Sequence, residues 1–122
     1  MPEHDPTIRL LHMRDYVRKA ITVIEGKTRD DLEKDEILCL ALTHLVTLVG
    51  EAANKYPTKK QKQYPLIAWP KIISMRNRLI HGYDAVDYDI LWDAVTNNFP
   101  PLLVELRILG MPFTSKVCNL NI

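Results

Sequence analysis

Residues 35–57 read DEILCLALTHLVTLVGEAANKYP, and the fold turns on this stretch. Its apolar residues are Ile37, Leu38, Leu40, Ala41, Leu42, Leu45, Val46, Leu48 and Val49. They fall almost all round a helix from about Asp35 to Tyr56, not along one stripe. Such a helix must be covered on several sides, either as the central member of a bundle or against a second subunit. It is not expected to cross a membrane. Thr43, His44 and Thr47 interrupt its richest part, which falls short of the roughly 18 apolar residues a span needs.

The neighbouring segments supply the rest of a bundle. From about Pro6 to Glu25, the residues Ile8, Leu11, Val17, Ala20, Ile21 and Ile24 make a helical stripe that Gly26 stops. Thr28 followed by Asp31 resembles a capping signal in the connection. Two prolines and a lysine cluster make Pro57 to Trp69 a loop. Pro70 suits the first turn of a third helix, which carries Ile72, Ile73, Met75, Leu79 and Ile80 and ends at Gly82. Asp87 can cap a fourth, with Ile90, Leu91, Trp92, Ala94 and Val95; Pro100 and Pro101 kink it before Leu102 to Leu109 and a Gly110 stop. The expected fold is all-α, an antiparallel four-helix up-and-down bundle with a Pro-kinked last helix. Residues 1–110 form the helical domain and 111–122 a C-terminal tail for which the sequence suggests no role.

A chain of 122 residues is expected to be one domain that buries about two-thirds of its unfolded surface. Apolar residues at 47% and charged residues at 25% are ordinary for a globular protein. The start, MPEHDPTIRLLHMRDY, is polar and acidic before it turns apolar, unlike a signal peptide. Cys39 and Cys118 form no metal or redox spacing, and Cys39 reads as a buried thiol. A reducing, cytoplasmic setting without membrane association is the expectation.

Net charge is only +1, but the charges are sorted. No aspartate or glutamate occurs between Ala52 and Tyr83, while Lys55, Lys59, Lys60, Lys62, Lys71, Arg76 and Arg78 all do. A cationic patch of this kind attracts phosphate backbones by counterion release; loop lysines alone can also be mere solvated surface. Joined to Arg76 and His81, the patch points to RNA, with Lys59, Lys60, Lys62 and Lys71 as the binding lysines.

Most catalytic designs are missing. The four glycines are isolated, so there is no phosphate loop, and no serine sits in a nucleophile elbow. His4, His12, His44 and His81 lack the i, i+4 pairing or carboxylate company of a metal site. His44, inside the most apolar helix, reads as a packed histidine. What remains is Arg76-x4-His81. RNA cleavage by its own 2′-hydroxyl needs a base, an acid and a cation for the phosphorane charge; histidine serves either proton transfer and arginine clamps phosphate, with no metal or cofactor. Residues five apart point about 140° from each other on an ideal helix, so convergence depends on a long arginine and a fraying last turn. The helix C-terminus favours a protonated imidazole. One histidine cannot readily be acid and base in one step, but a symmetric dimer would supply two. Alone, R-x4-H is equally a basic helix cap.

DEILCLALTHLVTLVGEAANKYP together with WPKIISMRNRLIHGYDAVDYDILWDAV resembles the HepT-like branch of the HEPN superfamily, toxins paired with minimal nucleotidyltransferase antitoxins. The likeness covers most of residues 6 to 109. It implies an α-helical bundle that dimerises around a metal-independent ribonuclease site, in a type VII toxin–antitoxin pair. The family motif of Arg, a polar residue, His and Tyr falls on Arg76, Asn77, His81 and Tyr83. Tyr83 is implied as the acceptor of AMP groups from the cognate nucleotidyltransferase, which would silence the toxin. Glu51 matches a Gly-Glu-Ala segment of the family, and its partner is expected to be Arg76 or Arg78. The alternative is a non-catalytic helical module that binds nucleotide or a nucleotidyltransferase partner.

Overall fold

A computed structural model of the chain describes residues 6–81 and 87–110, and every regular element among them is helical. The elements are α1 (Pro6–Val23), α2 (Arg29–Lys34), α3 (Glu36–Lys55), α4 (Thr58–Gln61), α5 (Trp69–His81), α6 (Tyr88–Asp93), a π-helical turn (Ala94–Asn98) and α7 (Phe99–Gly110). The all-α expectation is met. Helix α3 packs on α1 and α5, and α1 packs in turn on α7. The tail, residues 111–122, and Gly82, the expected stop of α5, lie outside the described residues.

Helix α3 is central, as its composition requires. Asp35 caps it by accepting a hydrogen bond from the Leu38 amide. Leu38, Cys39, Leu42, Val46, Val49, Gly50 and Ala53 are buried along it. Length and composition alone would let these twenty residues cross a bilayer, but here they form the middle of a helical core. One side stays open: Ile37 is 74% and Leu40 58% exposed, and Ala41 and His44 are exposed with them. His44 is therefore not packed, contrary to the sequence reading. It shares the i, i+3, i+4, i+7 face of Ile37, Leu40 and Ala41, which the bundle does not cover.

The buried stripe of α1 is Leu10, Met13, Val17 and Ala20. The sequence reading set it too far round, because Ile8 is exposed and Leu11 only half-buried. Wedged between α3 and α7, the helix buries the arc that both neighbours share. Gly26 ends the segment at φ +77°, a conformation open to glycine. The Thr28–Asp31 signal is a full capping box that opens α2, whose Leu32 is buried. The Thr28 amide holds the Asp31 carboxyl below the usual carboxylate range. Arg29 pairs with Glu33 and reaches Asp89, tying α2 to the start of α6.

The segment 57–69 is not a plain loop, since it carries the single turn α4. It is also firmly anchored. Tyr56 stacks on Trp69, with ring centroids 5.2 Å apart and planes 3° from parallel. The Trp69 indole N–H donates to the carbonyls of Gln61 (3.1 Å) and Tyr64 (3.2 Å). Lys59, Lys60 and Lys62 are thus exposed on a fixed platform.

The break expected at Pro100 and Pro101 takes the form of the π turn just before them. Each proline lacks an N–H, and its ring crowds the carbonyl four residues back. Widening the preceding turn by one residue relieves that crowding; the Phe99 amide bonds to the Ala94 carbonyl, five residues back. Asp87 caps α6 as expected, accepting from the amides of Asp89 and Ile90. Phe99 is fully buried and locks the register after the π turn.

Candidate functional site

The site is built where α3 and α5 cross. Ile72, Met75 and Leu79 are the buried side of α5, and Arg76 follows Met75 at the edge of the seam. Opposite it α3 carries Gly50. A Cβ added there would lie 2.2 Å from Arg76 Cβ and 2.8 Å from its Cγ, far inside van der Waals contact. Glycine is thus what lets the Arg76 backbone lie against α3.

The guanidinium that results is half-buried and under-used. Its NH1 donates to the Asn77 side-chain oxygen at 2.7 Å. Its NH2 faces Glu51 Oε2 at 3.9 Å, a charge pairing too long for a hydrogen bond. Of the two partners the sequence allowed Glu51, the structure selects Arg76. Arg76 Nε is buried with no partner among the described residues, a condition shared only with Arg14 Nε. An unmet buried donor costs roughly 1–3 kcal/mol, and native proteins keep few of them. Arg76 is held in place, yet most of its five donors are uncommitted.

The sequence-named residues do not form one patch. Arg78 lies two residues beyond Arg76, about 200° round α5. It lines a different cavity together with Lys71. Lys71 and Arg78 are seven residues apart and therefore on nearly one face. Lys59, Lys60 and Lys62 sit on and after α4, beyond the start of α5. His81 is the last residue of α5, and Tyr83 lies outside the described residues. Among the described residues no group of three His, Cys, Asp or Glu side chains is placed to hold a metal ion.

Gly50 is the positional requirement that the sequence reading passed over. A glycine inside an apolar helix gives up about 1 kcal/mol relative to alanine, so its presence signals a packing reason. Gly50→Ala is therefore expected to destabilise the protein: the helical gain of about 1 kcal/mol is outweighed by an overpacking cost of roughly 1–3 kcal/mol, and α5 must shift. Denaturant unfolding checks this; a more stable alanine variant would contradict the crossing described here.

Residues 13–109 match the family described as Ribonuclease HepT-like. The chain is 33% identical over 97 residues to "Probable ribonuclease HepT" of Thermococcus cleftensis, covering 73% of this chain and 87% of that one. It is 29% identical over 102 residues to "Putative RNase TTE0752" of Caldanaerobacter subterraneus, covering 84% and 91%. It is 28% identical over 107 residues to "Putative RNase MJ0127" of Methanocaldococcus jannaschii, covering 88% of each. No solved structure matches the chain. With a family match that runs from within α1 to within α7, the chain belongs to the HepT-like ribonucleases of the HEPN superfamily.

Proposed function

We propose that this protein is the toxin of a type VII toxin–antitoxin pair, an endoribonuclease that cuts RNA without a metal ion through Arg76 and His81. The observation that carries the reading is Arg76 itself: seated by Gly50, flanked by Glu51 and Asn77, with guanidinium donors left over, five residues before His81.

In the proposed reaction, the 2′-hydroxyl of one nucleotide attacks the adjacent phosphorus. An imidazole takes the hydroxyl proton, and the bond from phosphorus to the 5′-oxygen breaks. A second imidazole gives that oxygen a proton. The products are a 2′,3′-cyclic phosphate and a 5′-hydroxyl. Arg76 meets the charge that gathers on the non-bridging oxygens, while Asn77 and Glu51 orient its fork. The cations of α4 and the following turn, Lys59, Lys60 and Lys62, track the strand, and Lys71 and Arg78 extend the cationic surface round α5. Such a substrate sets the protein in the cytoplasm. His81→Ala and Arg76→Ala are each expected to lower cleavage by at least about 100-fold with helical content unchanged. Gel analysis of RNA after incubation with the purified variants reads this; undiminished cleavage by His81→Ala would sink the assignment. If wild type binds RNA without cutting it, the non-catalytic binding module is the better description.

A second copy of His81 requires a second chain. The open α3 face of Ile37, Leu40, Ala41 and His44 supports a two-fold homodimer, because a monomer would leave that apolar stripe in water. Light scattering is expected to give a dimer at micromolar concentration, and Ile37→Glu with Leu40→Glu a monomer. A wild-type monomer with full activity would rule the dimer out.

Control is proposed to fall on Tyr83. An AMP group there would bring a phosphate anion two residues from His81, to compete with RNA for Arg76. Incubation with the cognate minimal nucleotidyltransferase, ATP and magnesium is expected to raise the mass in AMP-sized steps and to reduce cleavage in proportion. Tyr83→Phe should resist; an adduct mapped to another residue would refute this switch alone.

A further inference from the structure

Well round α5 from Arg76 lies a cavity of about 530 Å³, between α5 and the broken last helix. That is within the 300–1,000 Å³ range of small-molecule sites. We infer that it is a second subsite, which holds one phosphate-linked, amino-bearing base of an RNA strand away from the Arg76 crossing. The choice of RNA as ligand rests on the function proposed above; the polarity of the cavity is independent of it.

The α5 wall carries Lys71 and Arg78 on nearly one face, about 10 Å apart along the axis. Both are exposed, and neither has a carboxylate partner among the described residues. The opposite wall carries two acids, Asp89 and Asp93. Neither reaches across to the cations. Asp89 is held by Arg29, and Asp93 accepts from the side-chain amide of Asn97. The cavity is therefore polarised, with cations on one side and hydrogen-bond acceptors on the other. A ligand that suits it has an anion at one end and N–H donors at the other.

A simple anion would satisfy the lysine and arginine but would leave Asp93 repelling it. A nucleotide satisfies both walls. Its phosphate meets Lys71 and Arg78, and an exocyclic amino group meets Asp93. Trp92, half-buried against the core, lies next to Asp93 on the α6 wall and lines the same cavity. An aromatic side chain at such a wall is the kind of platform on which a base stacks. The π turn contributes Asn97 and Asn98 to the same wall. π-helical turns recur at functional sites. A second cavity of about 280 Å³ shares Lys71, Met75 and Asn98 with the first, so the groove continues past one nucleotide.

Trp92 is also the reporter. The protein has two tryptophans, and the other, Trp69, is buried in its stack on Tyr56, outside this wall. Fluorescence would be titrated with 2′-O-methyl tetra-adenylate and tetra-uridylate, which lack the attacking hydroxyl and cannot be cut by this chemistry. The adenylate is expected to quench wild-type emission, and the quench to vanish in Trp92→Phe. Lys71→Ala combined with Arg78→Ala, both exposed, should raise the Kd about tenfold or more, and the uridylate should bind several-fold more weakly. Quenching that survives in Trp92→Phe, an unchanged Kd in the double variant, or bound oligonucleotide without quenching would overturn the subsite. Equal binding of uridylate would overturn the role given to Asp93. Cleavage is scored separately on unmodified RNA. Quenching without cleavage keeps the subsite and removes the ribonuclease reading; cleavage without Trp92 quenching does the reverse.

Discussion

The crossing of α3 and α5 at Gly50 governs what the rest of the molecule can do. With any larger residue at that point, Arg76 Cβ could not lie where it does, because the two Cβ atoms would be 2.2 Å apart. The close approach has two consequences. It draws the guanidinium into the seam, where water is partly excluded and a positive charge counts for more than at an open surface. It also aligns α5 so that its remaining cations, Lys71 and Arg78, face away from α3 into the groove beside the last helix. One packing contact therefore sets both the half-buried arginine and the outward cationic face.

Distant parts of the fold serve this crossing. The Tyr56–Trp69 stack joins the end of α3 to the start of α5, fixing the hairpin that brings them together. The bonds from Trp69 to Gln61 and Tyr64 hold the intervening segment against that joint. On the other side, the clamp from Arg29 to Asp89 and the π turn position α6 along the far face of α5. The prolines are what make the π turn necessary, so the shape of the groove traces back to Pro100 and Pro101.

Much of this was legible in the sequence. The all-round apolarity of residues 37–49 identified the central helix, and Asp35, Thr28 and Asp87 marked helix starts with their side chains. Arg76 stood out because it lay in a stretch free of acids. What the sequence obscured was geometry across helices. It placed Arg76, Arg78 and Lys71 in one patch because they are close in number, whereas the helical period turns Lys71 and Arg78 to a different face from Arg76. It packed His44 inside because apolar neighbours surround it along the chain, although those neighbours include the open stripe of Ile37 and Leu40. It treated Gly50 as part of a motif, and only the approach of Arg76 gives that glycine a physical reason. The stripe of α1 was misjudged for a similar cause: which arc is buried depends on two neighbours, α3 and α7, and not on the most apolar side alone.

The central claim is that an arginine held at this crossing and a histidine at the end of the same helix cut RNA through its own 2′-hydroxyl. The measurement that tests it most directly is the chemistry of the ends left on a defined RNA by the purified protein in the presence of a chelator. The account predicts continued cleavage with 2′,3′-cyclic phosphate or 3′-phosphate on one fragment and a 5′-hydroxyl on the other. Loss of cleavage on chelation, or fragments ending in 3′-hydroxyl and 5′-phosphate, would contradict it.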